Sequence, residues 1–242
     1  PPRPAPAGPG DARRARAGRA AARGRDMVVR TWRPERDRRV LVVVDTSRTS
    51  AARVGDAPRL DASIEAALLL AALAGRAGDR VELVAYDRTV RSRVAGAAGP
   101  RLMPAMADAL APLEPALLET DWPGLVGTVH ERLSQRALVV LLSTLDAAAV
   151  ESGLLPVVGQ LTAKHQVVLA AAGDPEVAAL RDDRTGTAEV YDAAAAARGE
   201  IERAAVTTVL RQRGVEVVDA LPDDLAPRLA DTYLALKAAG RL

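Results

Sequence analysis

Cysteine and phenylalanine are both missing from the 242 residues, and aromatic side chains make up only 2% of them. Without cysteine there is no disulfide, no thiolate metal site and no cysteine nucleophile, which fits a reducing compartment. Without phenylalanine the core has to be leucine, valine and alanine, and platforms for stacking single-stranded bases are lacking. Two histidines, His130 and His165, leave little room for histidine catalysis or zinc ligation. The two lysines, Lys164 and Lys237, stand in no phosphate-loop context, no G-x-G-x-x-G follows an apolar run, and there is no G-x-S-x-G elbow. No apolar stretch reaches the roughly 18 residues needed to span a bilayer. The leading segment also lacks the apolar centre of a secretory signal.

Charge is present but unevenly spread. Residues 1–39 hold 12 arginines and four acids, a local +8, which leaves −6 for the remainder. A basic arm on an acidic body suits contact with nucleic acid, a membrane surface or an acidic partner, or is simply a solvated tail. No specific nucleic acid is expected. Residues 1–25 are rich in proline, glycine and arginine and read as a disordered arm with a short helix near 12–23. The start at Pro1, without methionine, suggests a fragment.

The body, residues 26–242, reads as one α/β domain. A short strand over 27–32 and a charged turn over 33–39 precede the apolar run Val40-Leu41-Val42-Val43-Val44, which has the signature of a strand buried on both faces. Apolar periodicity then predicts a helix over 60–75, a strand over 80–86 with a hairpin partner at 89–94, and helices over 101–111 and 122–134. Thr120 or Asp121 is the expected cap of the last of these. Strands follow over 137–143, 166–172 and 215–218, with helices near 150–163, over 191–213 ending at Gly214, and over 223–239. Strands alternating with helices of this length imply a doubly wound, mostly parallel sheet with helices on both faces.

Asp45-Thr46-Ser47-Arg48-Thr49-Ser50 leaves the carboxyl end of the first buried strand. Ligands of open α/β sheets bind outside the strand C-termini. A carboxylate and two hydroxyls at alternate positions put three hard oxygen donors on one side of a turn, a set suited to Mg²⁺ or Mn²⁺. The alternative is that Ser47 and Thr49 cap the turn and that Thr120-Asp121 is an ordinary helix start. Arg48 could also supply a guanidinium where a cation would otherwise sit. A haloacid-dehalogenase-like phosphatase would use Asp45 as nucleophile, with Ser143 or Thr144, Lys164 and Asp223-Asp224 as later elements. That chemistry calls for a second acid where Ser47 stands. Tyr86-Asp87 reads as a turn, Trp32 and Trp122 as packing anchors, Asp182-Asp183 as solvated, and His130 and His165 as partly exposed.

Three segments carry a family resemblance: RAAARGRDMVVRTWRPERDRR over 19–39, residues 40–53 with 60–76, and ETDWPGL over 119–125. They resemble the bacterial domain-of-unknown-function 58 family, a branch with a von Willebrand factor A-like core, and the similarity runs over about 19–240. The upstream part of that family's pattern is reduced here to Gly10-Asp11 and Arg14. Asp45, Ser47 and Thr49 resemble the Asp-x-Ser-x-Ser/Thr element of a metal-ion-dependent adhesion site, and Thr120 resembles its second-loop threonine. The resemblance implies that Ser47, Thr49 and Thr120 bind Mg²⁺ directly, that the acids act through water, and that a partner carboxylate completes the shell. A further aspartate is expected where Thr144 stands. Asp146, two residues on, is the candidate, so the site is degenerate and Mg²⁺ is weakly held or absent. Arg48, Asp121 and Trp122 are the expected partner contacts. The resemblance further implies a non-enzymatic protein-binding module acting with a MoxR-type AAA+ ATPase in assembly or maturation. It would work in the cytoplasm or on the cytoplasmic face of a membrane, with anchoring only through a segment not present in this chain.

Overall fold

Strand β1 (Arg39–Asp45) is apolar on both faces because helices cover both sides of the sheet it centres. The computed structural model describes residues 38–180 and 186–242. The expected arm, the strand at 27–32 with Trp32, the charged turn up to residue 37 and Asp182-Asp183 lie outside the described residues.

After β1 come a single 3₁₀ turn (Arg48–Ala51), a small hairpin of β2 (Arg53–Val54) and β3 (Ala57–Pro58), and helix α1 (Arg59–Arg76). Strands β4 (Arg80–Tyr86) and β5 (Val90–Val94) follow, then α2 (Leu102–Leu110) and α3 (Trp122–Arg132). Strand β6 (Leu138–Ser143) leads into α4 (Ala147–Ala149), a π-helical turn (Val150–Leu154) and α5 (Val158–Thr162). Strand β7 (Gln166–Ala172), helices α6 (Pro175–Leu180) and α7 (Thr187–Gln212), strand β8 (Val215–Ala220) and helix α8 (Pro222–Ala238) complete the described order.

The sheet runs β5-β4-β1-β6-β7-β8, parallel except for the β5 edge. Successive side chains of a strand point to opposite faces. Val40, Val42 and Val44 therefore pack under α1, α2 and α8, while Leu41 and Val43 pack under α3, α5 and α7. With no phenylalanine, Tyr233 and leucines such as Leu41, Leu70 and Leu138 are the largest fully buried side chains. Each buried leucine is worth about 1.5–3 kcal/mol. The β5 edge exposes Arg91 and Arg93, which discourages pairing with another chain.

The helix expected near 150–163 is broken. It begins earlier, because Asp146 accepts a hydrogen bond from Ala149 N (2.9 Å), and it loses regularity at Pro156, which lacks an N–H. The Leu155 N–H donates instead to the Val150 carbonyl, 2.9 Å away and five residues back. Gly214 takes φ +84°, the conformation that ends α7 at little cost for glycine. His165 is not partly exposed. It is only 4% exposed, since its N–H bonds the Leu161 carbonyl (2.8 Å) and turns the residue under the end of α5. Among the described residues, no helix is long and apolar enough to cross a membrane.

The chain passes from β1 through α1 to β4 on one side, whereas β6 pairs with β1 on the other. The crevice outside the C-terminal ends of β1 and β6 is therefore the switch point of the sheet. Asp45 is the last residue of β1 and Ser143 the last of β6.

Candidate functional site

Asp45 is 4% exposed, and its carboxylate organises the crevice. Oδ1 accepts from Ser47 N (2.9 Å) and Thr120 Oγ1 (2.9 Å). Oδ2 accepts from Ser143 Oγ (2.5 Å) and Thr49 Oγ1 (3.3 Å). The hydroxyls of Ser47 and Thr49 lie 3.1 Å apart, and Ser50 Oγ donates to the Asp45 carbonyl (2.5 Å), closing the turn. Thr120 reaches this cluster because backbone bonds lace its loop to β1: Ala116 N to Thr46 O (2.7 Å) and Arg48 N to Leu118 O (2.8 Å). Asp121 N adds a bond to Asp87 O (2.9 Å) on the turn after β4, whose own N–H groups at Arg88 and Thr89 are capped by the Asp87 carboxylate.

Asp45, Ser47, Thr49 and Thr120 thus converge from two loops and line a cavity of about 310 Å³. Asp146 lines the same cavity, but one carboxylate oxygen caps α4 and its own N–H is held by Thr144 Oγ1 (3.0 Å). Arg48 does not occupy the cluster. Its guanidinium pairs with Glu119 (2.6 Å) on the exposed rim. Asp121 caps α3 through Gly124 N (3.0 Å), and a Cβ on Gly124 would sit 2.6 Å from the Tyr86 hydroxyl and closer still to the Asp121 carboxylate, so a larger residue there would displace the cap. Trp122 is 8% exposed and forms a wall of the cavity, its ring so close to Gly153 that a Cβ there would fall 2.5 Å from it. Burial, then the carboxylates of Asp121 and Asp87, push the Tyr86 hydroxyl above its ordinary pKa.

Every donor to Asp45 is neutral, and among the described residues no arginine or lysine nitrogen lies within ion-pair distance of it. A buried carboxylate bonded only to hydroxyl and amide groups has no direct ion pair, and Arg59 acts on it only by longer-range attraction. Hydroxyl oxygens retain lone pairs, so this donor set fits a hard divalent cation. Among the described residues there is no cluster of three histidine, aspartate or glutamate side chains, so the set offers one clustered carboxylate and fits weak binding. Lys164 precedes β7, at the sheet end opposite Asp45, roughly 20 Å away along a seven-residue strand.

Two further residues belong here. Ser143 is placed by the β1–β6 register, which pairs Val44 with Leu142 and so sets Asp45 beside Ser143. Arg59, at the start of α1, donates from Nη1 to Thr49 O (2.5 Å) and from Nε to Ala172 O (3.2 Å), stapling the Asp45 loop to the end of β7. Burial, and secondarily Arg203, lower its pKa. It lines a second cavity of about 720 Å³ beside the first.

The site is thus a carboxylate-and-hydroxyl cluster at the switch point of a mostly parallel α/β sheet. The chain belongs to the family described as "Protein of unknown function DUF58", whose profile matches residues 7–217. Among solved structures it is similar to the conserved hypothetical protein BatB from Bacteroides thetaiotaomicron, at 14% identity over 73% of this chain and 98% of that one, TM-score 0.36. It is also similar to an aerotolerance-related membrane protein from Bacteroides fragilis, at 13% identity with the same coverage and TM-score 0.36. No curated protein sequence matches it.

Proposed function

We propose that this protein is a non-enzymatic interaction module that takes a partner's carboxylate at the crevice between β1 and β6 through a weakly held Mg²⁺. The observation that carries the reading is the buried Asp45 carboxylate, which among the described residues has neutral donors alone, beside an open cavity. Ser47, Thr49 and Thr120 would hold the ion, with Asp45 orienting them and Asp146 at the cavity edge. The cation supplies a fixed positive charge to which an acidic side chain can bind. In this reading the partner is a MoxR-type AAA+ ATPase acting in assembly or maturation, and the work is done in the cytoplasm or at the cytoplasmic face of a membrane.

The phosphatase reading loses support from Lys164, which belongs to the far end of the sheet from Asp45. Titration calorimetry of Mg²⁺ and Mn²⁺ into wild type and Asp45→Ala tests the metal. Heat in wild type and none in the variant is the expected result, and null isotherms for both reduce the cluster to a structural turn. Recovery of a hexameric ATPase from the native host in Mg²⁺ but not in EDTA tests the partner. Turnover of an aryl phosphate that disappears in Asp45→Asn would restore the enzyme reading.

A further inference from the structure

We propose that the 720 Å³ cleft beside the Asp45 cluster is a second carboxylate subsite, in which Arg59 holds an acidic side chain of a peptide whose neighbouring residues are basic. The inference rests on the reading that this face binds a protein partner. The two cavities are continuous, since Arg48, Thr49, Thr144 and Asp146 line both. A segment seated at Asp45 therefore runs on into the cleft.

Arg59 is the anchor. A guanidinium carries five N–H donors. Two hydrogen bonds, to the carbonyls of Thr49 and Ala172, are all that the described residues provide, and none of their carboxylates lies within ion-pair distance. Two of the neighbouring arginines are already paired: Arg203 makes a two-pronged contact with Asp219 (2.7 and 2.6 Å), and Arg48 holds Glu119. Arg53 and Arg228, which among the described residues bond only backbone carbonyls, lie on the exposed surface. A half-buried guanidinium facing a cleft with donors to spare fits a two-pronged carboxylate. The wall decides against a phosphate. Asp174 and Asp224 line the cleft with no ion pair among the described residues, so a dianion at Arg59 meets their repulsion. A single carboxylate flanked by lysine or arginine satisfies Arg59 and the acids together.

The test follows the Arg59 Nε–Hε resonance of the full chain, assigned by its loss in Arg59→Lys. The probe is the blocked peptide acetyl-Gly-Lys-Glu-Lys-Gly-amide, with its Gln-for-Glu counterpart and inorganic phosphate as controls. The Glu peptide should move the resonance saturably and at least fivefold further than the Gln peptide, in Mg²⁺, in EDTA and in Asp45→Asn. Equal shifts from the two peptides, or a larger shift from phosphate, overturn the subsite. Asp174→Asn leaves both carbonyl bonds of Arg59 in place and is read from the peptide's own resonances. It should weaken the Lys-flanked peptide about threefold and leave a Gly-flanked one unchanged, and no change for either overturns the role of the acidic wall. Mg²⁺ heats without a peptide shift sink the subsite alone, while a peptide shift without Mg²⁺ heats sinks the metal reading alone.

Discussion

Asp45 and Asp79 are both buried, 4% and 9% exposed, at opposite ends of neighbouring parallel strands, yet their surroundings differ in kind. Asp79, just before β4, receives Lys237 Nζ at 3.0 and 3.1 Å and the Tyr233 hydroxyl, both from α8. Lys237 also sits 5.4 Å over the Tyr233 ring. Burial first, then the bond to Asp79, push the Tyr233 hydroxyl well above its ordinary pKa, so it stays a donor. This is a closed clasp that pins α8 against the sheet with a cation from the chain itself. Asp45 has four hydrogen-bond partners but, among the described residues, no cation paired with it, and a cavity lies beside it. The same residue type is structural where the chain neutralises it and available where the chain does not.

The largest effect should come from Lys237→Met. Breaking one side of a buried pair strands the other charge, so stability should fall by about 3 kcal/mol, a drop of roughly 10 °C in Tm. A Tm within 2 °C of wild type would mean that Asp79 is no better neutralised than Asp45. Ser143→Ala removes one of the four bonds to the Asp45 carboxylate and should cost about 2 kcal/mol in urea unfolding without Mg²⁺. If Mg²⁺ restores none of that loss, Ser143 serves the fold and not the ion.

A smaller, pH-dependent effect belongs to the Asp79 end. His165 is buried with neither ring nitrogen partnered among the described residues, 6.1 Å from the His130 ring. Burial first, then His130, Lys164 and Arg136, lower its pKa. The unfolded imidazole, with an ordinary pKa of about 6.5, takes a proton more readily than the folded one. Its contribution to stability is therefore complete above about pH 6.5 and is lost as pH falls toward the folded value. Tm measured between pH 7.5 and 5 should decline in wild type and decline less in His165→Leu. Parallel profiles would assign the decline to other groups.

Much of this architecture is legible in the amino-acid order. The runs at 40–44 and 138–142 are apolar on both faces because they are central strands, and β4 and β7 begin and end where alternation and burial predict. Asp45, Ser47 and Thr49 lie within one turn, and Thr120 meets them because backbone bonds at Ala116 and Leu118 lace its loop to the end of β1. What escapes sequence reading is set by pairing across distance. Ser143 is 98 residues from Asp45 and meets it only through the β1–β6 register. Arg59 lies just before the helix expected over 60–75 and gains its place only when the end of β7 is brought beside it. The burial of His165 depends on how α5 ends, where its own N–H and that of Lys164 turn back to the Leu161 carbonyl.

Mn²⁺-induced broadening of the backbone amide resonances tests the central comparison most directly, since a paramagnetic ion reports its own position. Substoichiometric Mn²⁺ should broaden Ser47, Thr49, Thr120 and Ser143 first, leave the amides around Asp79 and Lys237 sharp, and lose the first set in Asp45→Asn. Broadening centred on the acids around Asp174 and Asp224, or equal at Asp45 and Asp79, would contradict the account.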